Sequence, residues 1–137
     1  MSHEYITEDD IREMIYDVET ANKNRDIEGV MQYLSPDIEI IITLNTILGP
    51  QKMHWTLTKY RIETENIWSN ASSYKYEREN EKITINDDGQ SAHVETEIFE
   101  VITIQGKTIK QKAYEKIDIE IIDGTLMVTK LEANIKT

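Results

Sequence analysis

Carboxylates set among β-branched aliphatics are the residues most able to do chemistry in this chain. In its second half Glu81, Glu100, Glu115 and Glu132 interrupt runs of Ile, Val and Ala, together with Thr96, Gln111, Lys130 and Asn134. Side chains at i and i+2 share a strand face, so the acids fall on the face that carries Ile83, Val94, Ile98, Ile117, Ile119 and Val128. An unpaired carboxylate on such a face costs several kcal/mol, so each must be paired, protonated or bordering water. Crowded carboxylates hold their protons to higher pH, which suits a general acid or base at neutrality. Glu115 is the first candidate for a base, with Glu100, Glu132 and Tyr16 in support.

Three arrangements fit this pattern: one end of the face lies in solvent, the acids line a polar ligand pocket, or their oxygens converge on a hard cation. Aromatic residues extend the second arrangement. Tyr16, Trp55, Tyr60 and Trp68 can stack on a flat ligand or pack as ordinary core. Thr96 and Gln111 would supply polar contacts. His54 reads as a proton carrier or a surface residue. Met14, Met31 and Met53 read as core filler.

Other chemistries lack their residues. With no cysteine, thiolate nucleophiles, disulfides and cysteine-held metals are excluded. The histidines (His3, His54, His93) are scattered, and no Gly-rich phosphate loop, Gly-x-Ser-x-Gly elbow or His-Glu-x-x-His helix occurs. No metal or cofactor is expected. Lys and Arg total 15 against 26 Asp and Glu, a net charge of −11 without a basic cluster, which argues against nucleic acid. The longest aliphatic run is Ile40-Ile41-Ile42, far short of the ~20 residues that span a bilayer. The first ten residues lack a basic start and an apolar stretch, so a cytoplasmic protein is expected.

The elements that must position these residues follow from periodicity. Thr7 and Asp10 make a capping-box-like start, and Ile11, Met14, Ile15, Val18 and Ala21 share one helix face. Asp26 caps a short second helix with Ile27, Val30, Met31 and Leu34 inward, stopped at Ser35-Pro36-Asp37. Residues 38–44 read as a strand, and a turn at Leu48-Gly49-Pro50 leads into a third helix over about 51–68. Residues 73–86, 91–104, 107–122 and 125–134 read as four long strands joined by Asp87-Asp88-Gly89, Gln105-Gly106 and Asp123-Gly124 turns. Tight turns set Glu95 against Lys116, His93 against Asp118, Val94 against Ile117, Ile102 against Ile109 and Ile119 against Val128. Ile85 then faces Ala92. Those registers align Glu81, Thr96, Glu115 and Glu132 in one row. The opposite face carries Tyr76, Phe99, Val101, Tyr114 and Leu131 among Lys110, Lys112 and Lys116, with Tyr76 against Val101 and Phe99 against Lys112. Grouped exposed aromatics suit a partner surface, and a homodimer is the least demanding partner.

The stretch from Asn22 through Asp26-Ile27, Val30 and Leu34 to Asp37-Ile38-Glu39-Ile40 is similar to the signature of the nuclear-transport-factor-2-like (SnoaL-like) superfamily. Residues 97–135 resemble its last two hairpins. The resemblance covers nearly the whole chain. It implies a single α+β domain over 1–137: a cystatin-like cone, with three N-terminal helices packed on a curved antiparallel sheet, a pocket at one end and usually a dimer. Its members include polyketide cyclases, ketosteroid isomerase, dehydratases, epoxide hydrolases and non-catalytic modules. Where the isomerase carries its first-strand base this chain has Ile42, which cannot take a proton, so that mechanism is rejected. The expected function is binding of a small apolar or weakly polar molecule. Its catalytic form is cofactor-independent isomerisation, dehydration or cyclisation. The rival is a dimerisation or accessory module whose pocket is filled by side chains; a cavity lined by two or more carboxylates within reach of one ligand atom supports catalysis, and a core without a cavity sinks it.

Overall fold

Thr7 starts the first helix as its sequence suggests. In the computed structural model, which describes residues 3–136, Thr7 Oγ1 accepts from the Asp10 backbone N–H at 3.2 Å, and the Asp10 carboxylate accepts from Thr7 N–H at 3.1 Å. Two donors without helical partners are thereby satisfied. Helix α1 (Glu8–Lys23) buries Ile11, Met14, Ile15 and Ala21. Helix α2 (Ile27–Met31) is capped by Asp26, which accepts from Gly29 N–H at 3.1 Å. Gly29 is needed for contact as well: a Cβ there would lie 2.7 Å from that of Ala21.

Strand β1 (Leu34–Thr46) starts earlier than the pattern suggests. The segment after it corrects the expected helix over 51–68. Residues 49–55 form strand β2 (Gly49–Trp55), paired with β1 so that Ile42 faces Met53 and Ile40 faces Trp55. Met53 and Trp55 are two apart, a strand spacing, and the expected helix ran across an element boundary. Thr56 marks that boundary: its Oγ1 accepts from Lys59 N–H at 3.1 Å and begins α3 (Leu57–Asn70). Arg25 Nη1 donates to the carbonyls of Trp68 and Ala71 at 3.0 and 3.1 Å, fixing the end of that helix.

Strands β3 (Ser73–Ile85), β4 (Ser91–Ile104), β5 (Lys107–Ile122) and β6 (Thr125–Lys136) complete a six-stranded sheet in the order β2-β1-β6-β5-β4-β3. Neighbours are antiparallel except β1 and β6, which are parallel. The β1–β2 hairpin puts β2 on the edge and leaves the other side of β1 to the returning β6. The tight turns hold. Gln105 and Gly106, like Asp123 and Gly124, all have positive φ, as a two-residue hairpin matching strand twist requires. The registers Glu95–Lys116, His93–Asp118, Val94–Ile117, Ile102–Ile109, Phe99–Lys112, Ile119–Val128 and Ile85–Ala92 are all observed.

Two bulges overturn other registers. One lies between Glu79 and Lys82, where Asn80 has φ 55°; the other shifts β6 opposite Asp118 and Ile119. One extra residue moves everything beyond it to the other face. Tyr76 therefore opposes Glu100, not Val101, and is buried; Leu131 likewise turns into the core. Both leave the expected dimer face, where Phe99, Val101 and Tyr114 remain. Glu132 pairs with Lys116 while Glu115 opposes Ala133, so the row of acids is broken. The core centres on Ile11, Ile40, Val94 and Ile119, where α1 meets the sheet. No helix among the described residues is long and apolar enough to cross a membrane.

Candidate functional site

The β3 bulge decides what faces the helices. It turns Tyr74, Tyr76 and Arg78 inward, where with β4, β5, β6, α1 and α3 they enclose a cavity of about 170 Å³. Met14, Ile15, Val18, Ile98, Ala113, Leu131 and Ile135 form much of its wall. A polar cluster interrupts them.

Arg78 is the centre of that cluster, with its side chain only 4% exposed. Nη1 donates to Tyr76 Oη at 2.9 Å, and Nη2 donates to Glu115 Oε1 at 3.0 Å. Glu81 stands 3.7 Å from Nε. Burial works against the guanidinium charge, but Glu115 and then Tyr76 outweigh it and raise the Arg78 pKa above its usual value. Glu115 is 12% exposed, and its second oxygen makes no hydrogen bond with the described residues. A carboxylate held at one oxygen and free at the other is oriented for accepting a proton or a donor from a ligand.

Beside it, Glu100 accepts from the Tyr74 hydroxyl and from Gln111 Nε2, the latter at 3.1 Å. Tyr74 stacks on Tyr76 at 6.5 Å between centroids and meets Trp68 edge-on at 6.3 Å. Trp55 and Tyr60 form a tilted pair 6.5 Å apart. Burial raises the Tyr60, Tyr74 and Tyr76 pKa values; Glu115 adds to this at Tyr60 and Glu100 at Tyr74. Trp55 Nε1, Arg78 Nε and Thr96 Oγ1 are buried without a hydrogen-bond partner.

This architecture, helices closing one side of a curved mixed sheet, has counterparts among solved structures. An NTF2-like protein from Cytophaga hutchinsonii superposes with TM-score 0.72 at 16% identity, covering 94% of this chain and 98% of that one. A putative scytalone dehydratase from Novosphingobium aromaticivorans gives TM-score 0.70 at 15% identity over 93% and 82%. A hexachlorocyclohexane dehydrochlorinase, LinA-type3 from Novosphingobium barchaimii, gives 0.69 at 14% over 93% and 84%. The chain has the nuclear-transport-factor-2-like, cystatin-like fold. Its sequence matches no protein-family model and no curated protein.

Within this NTF2-like cone, Glu115, Glu100, Gln111, Trp55 and Tyr60 all line the cavity. Three other candidates do not. Glu132 lies on the solvent face with Lys130 at 3.0 Å, a consequence of the β6 bulge. Tyr16 is 67% exposed because α1 turns Ile15 inward and its neighbour outward. Thr96 is buried behind the wall and does not line the cavity. His54 is exposed on β2. The described residues hold no group of three or more acids and histidines placed to bind a metal. Sequence reasoning missed Tyr74 and Arg78 and set Tyr76 on the opposite face. The Tyr-x-Tyr-x-Arg spacing places all three on one strand face, but the bulge between Glu79 and Lys82 decides that this face is the inner one.

Proposed function

We propose that this chain is a small-molecule-binding protein whose ligand has a largely apolar body and a polar end seated on the Tyr74–Arg78–Glu115 side of the cone. The cavity carries this reading. Its volume of about 170 Å³ exceeds the roughly 150 Å³ that holds a benzene molecule, which favours binding over an interior filled by side chains. The catalytic form is cofactor-independent isomerisation, dehydration or cyclisation with Glu115 as base. Two structural neighbours are named as a dehydratase and a dehydrochlorinase, which supports an elimination-type reaction here.

Binding is tested by following methyl resonances of Ile98 and Ala113 while titrating benzene-sized fragments bearing a hydroxyl, carbonyl or amine. Saturable shifts are expected in the wild type and their loss in Ala113→Phe, which fills the cavity. No saturable binding, or binding untouched by that substitution, would sink the proposal. For any substrate turned over, Glu115→Gln should reduce kcat by roughly 10²–10⁴-fold; an unchanged rate removes Glu115 as base.

We also propose a homodimer through the outer sheet face around Phe99, Val101 and Tyr114. Tyr114 is 43% exposed, and Lys112 covers both aromatic rings at 5.3 and 5.0 Å. Sedimentation at micromolar concentration should give a dimer that Tyr114→Glu converts to monomer. A monomeric wild type would end this reading.

A further inference from the structure

Glu100 is the cavity's unneutralised charge. Of the carboxylates that line it, Glu63 lies 3.6 Å from Lys59 and Glu115 lies 3.0 Å from Arg78. Glu100 has no cation within ion-pair distance among the described residues; its two oxygens accept from Tyr74 and Gln111, both neutral. Each oxygen keeps a free lone pair. A half-buried carboxylate without a counter-charge is costly beside apolar walls, and a ligand cation would offset that cost. Arg78 does not fill the role, because its charge is matched by Glu115.

The walls suit such a cation. Tyr74 donates to Glu100, stacks on Tyr76 and packs nearly at right angles to Trp68, and all three rings line the cavity that Glu100 lines. A positive charge over aromatic faces gains from their quadrupoles, most when water is excluded. A bare metal ion fits poorly, since no set of three or more acids and histidines among the described residues is placed to hold one. The overall charge of −11 favours arrival of cations.

We infer that the ligand of this cavity is a small organic ammonium, with its cationic nitrogen on Glu100 between Tyr74, Tyr76 and Trp68 and its apolar body against Ile98, Ala113 and Ile135. This rests on the cavity being a binding site and specifies the polar end of its occupant. The test compares benzylammonium with benzyl alcohol by calorimetry at neutral pH and low salt. Wild-type protein should bind the ammonium at least about tenfold more tightly, and Glu100→Gln should remove that preference while leaving alcohol binding in place. Equal or stronger binding of the alcohol to wild type overturns the cationic assignment and leaves a neutral-ligand cavity standing. A preference that survives Glu100→Gln overturns the role of Glu100. If neither compound binds wild type, the cationic assignment falls together with the binding function. The wild-type comparison decides the matter even if the variant fails to fold.

Discussion

Arg78→Met should be the most destabilising single substitution in the cavity wall. It strands the Glu115 carboxylate, 12% exposed, and deprives Tyr76 Oη of its donor at 2.9 Å. Removing one partner of a buried pair leaves the other charge without compensation, at a cost of about 3–5 kcal/mol. For a domain of this size that loss lowers Tm by roughly 10–20 °C. Methionine follows the course of the arginine stem, so little of the effect is lost packing. The double variant Arg78→Met, Glu115→Leu removes both charges and should recover most of the loss, because a buried ion pair is often no more stabilising than apolar residues of similar volume. Thermal and urea melts of wild type, single and double variants measure this. A single-variant loss under about 1 kcal/mol would place the pair in effective contact with water, and a double variant no better than the single would assign the loss to packing.

That pair also shows where the sequence was legible. The helices and hairpins follow from local rules: Thr7 and Asp10 cap α1, and positive φ at Asp123 and Gly124 closes the β5–β6 hairpin. Registers inside a hairpin follow from its turn, as with Glu95 against Lys116. Bulges carry no comparably local mark. Asn80 tolerates positive φ, as does many a loop asparagine, and the β6 bulge shifts pairing opposite Asp118 and Ile119 without a glycine of its own. Each slips the facing by one residue, which turned Tyr76 and Leu131 inward and Glu132 outward. The candidate site was therefore legible on β4 and β5, where Glu100, Gln111 and Glu115 lie between intact hairpins, and illegible on β3 and β6. Strand β2 was hidden differently, because seven residues with Met53 and Trp55 facing in supply too few turns of either period to separate strand from helix.

Alkaline pH should unfold this protein steeply, through the same wall. Burial is the leading reason that Tyr60, Tyr74 and Tyr76 resist ionisation in the folded state, and all three hold their protons above the ordinary tyrosine range. In the unfolded chain a tyrosine ionises at about pH 10. Below that pH both states carry the proton and stability is whole. Above it the unfolded chain releases protons that the native state retains, so stability falls by about 1.4 kcal/mol per pH unit for each tyrosine. Three acting together give a slope of about 4 kcal/mol per pH unit, enough to consume a typical stability of about 5–15 kcal/mol within one to four units above pH 10. Lys112, whose pKa is raised first by Tyr114 and then by Glu97, and Lys130, raised first by Glu132, lose their pairing in the same direction. Tyr60→Phe separates the contributions. Tyr60 Oη makes no hydrogen bond with the described residues, so the substitution should cost little at neutral pH while cutting the alkaline slope by about a quarter, since Tyr33, pushed up to about 12 by burial and Asp17, adds a fourth share. Urea midpoints between pH 9 and 12, with tyrosinate absorbance followed in parallel, give both slopes. A flat wild-type profile to pH 11 would mean that water reaches these hydroxyls, and an unchanged slope in Tyr60→Phe would take Tyr60 out of the alkaline transition.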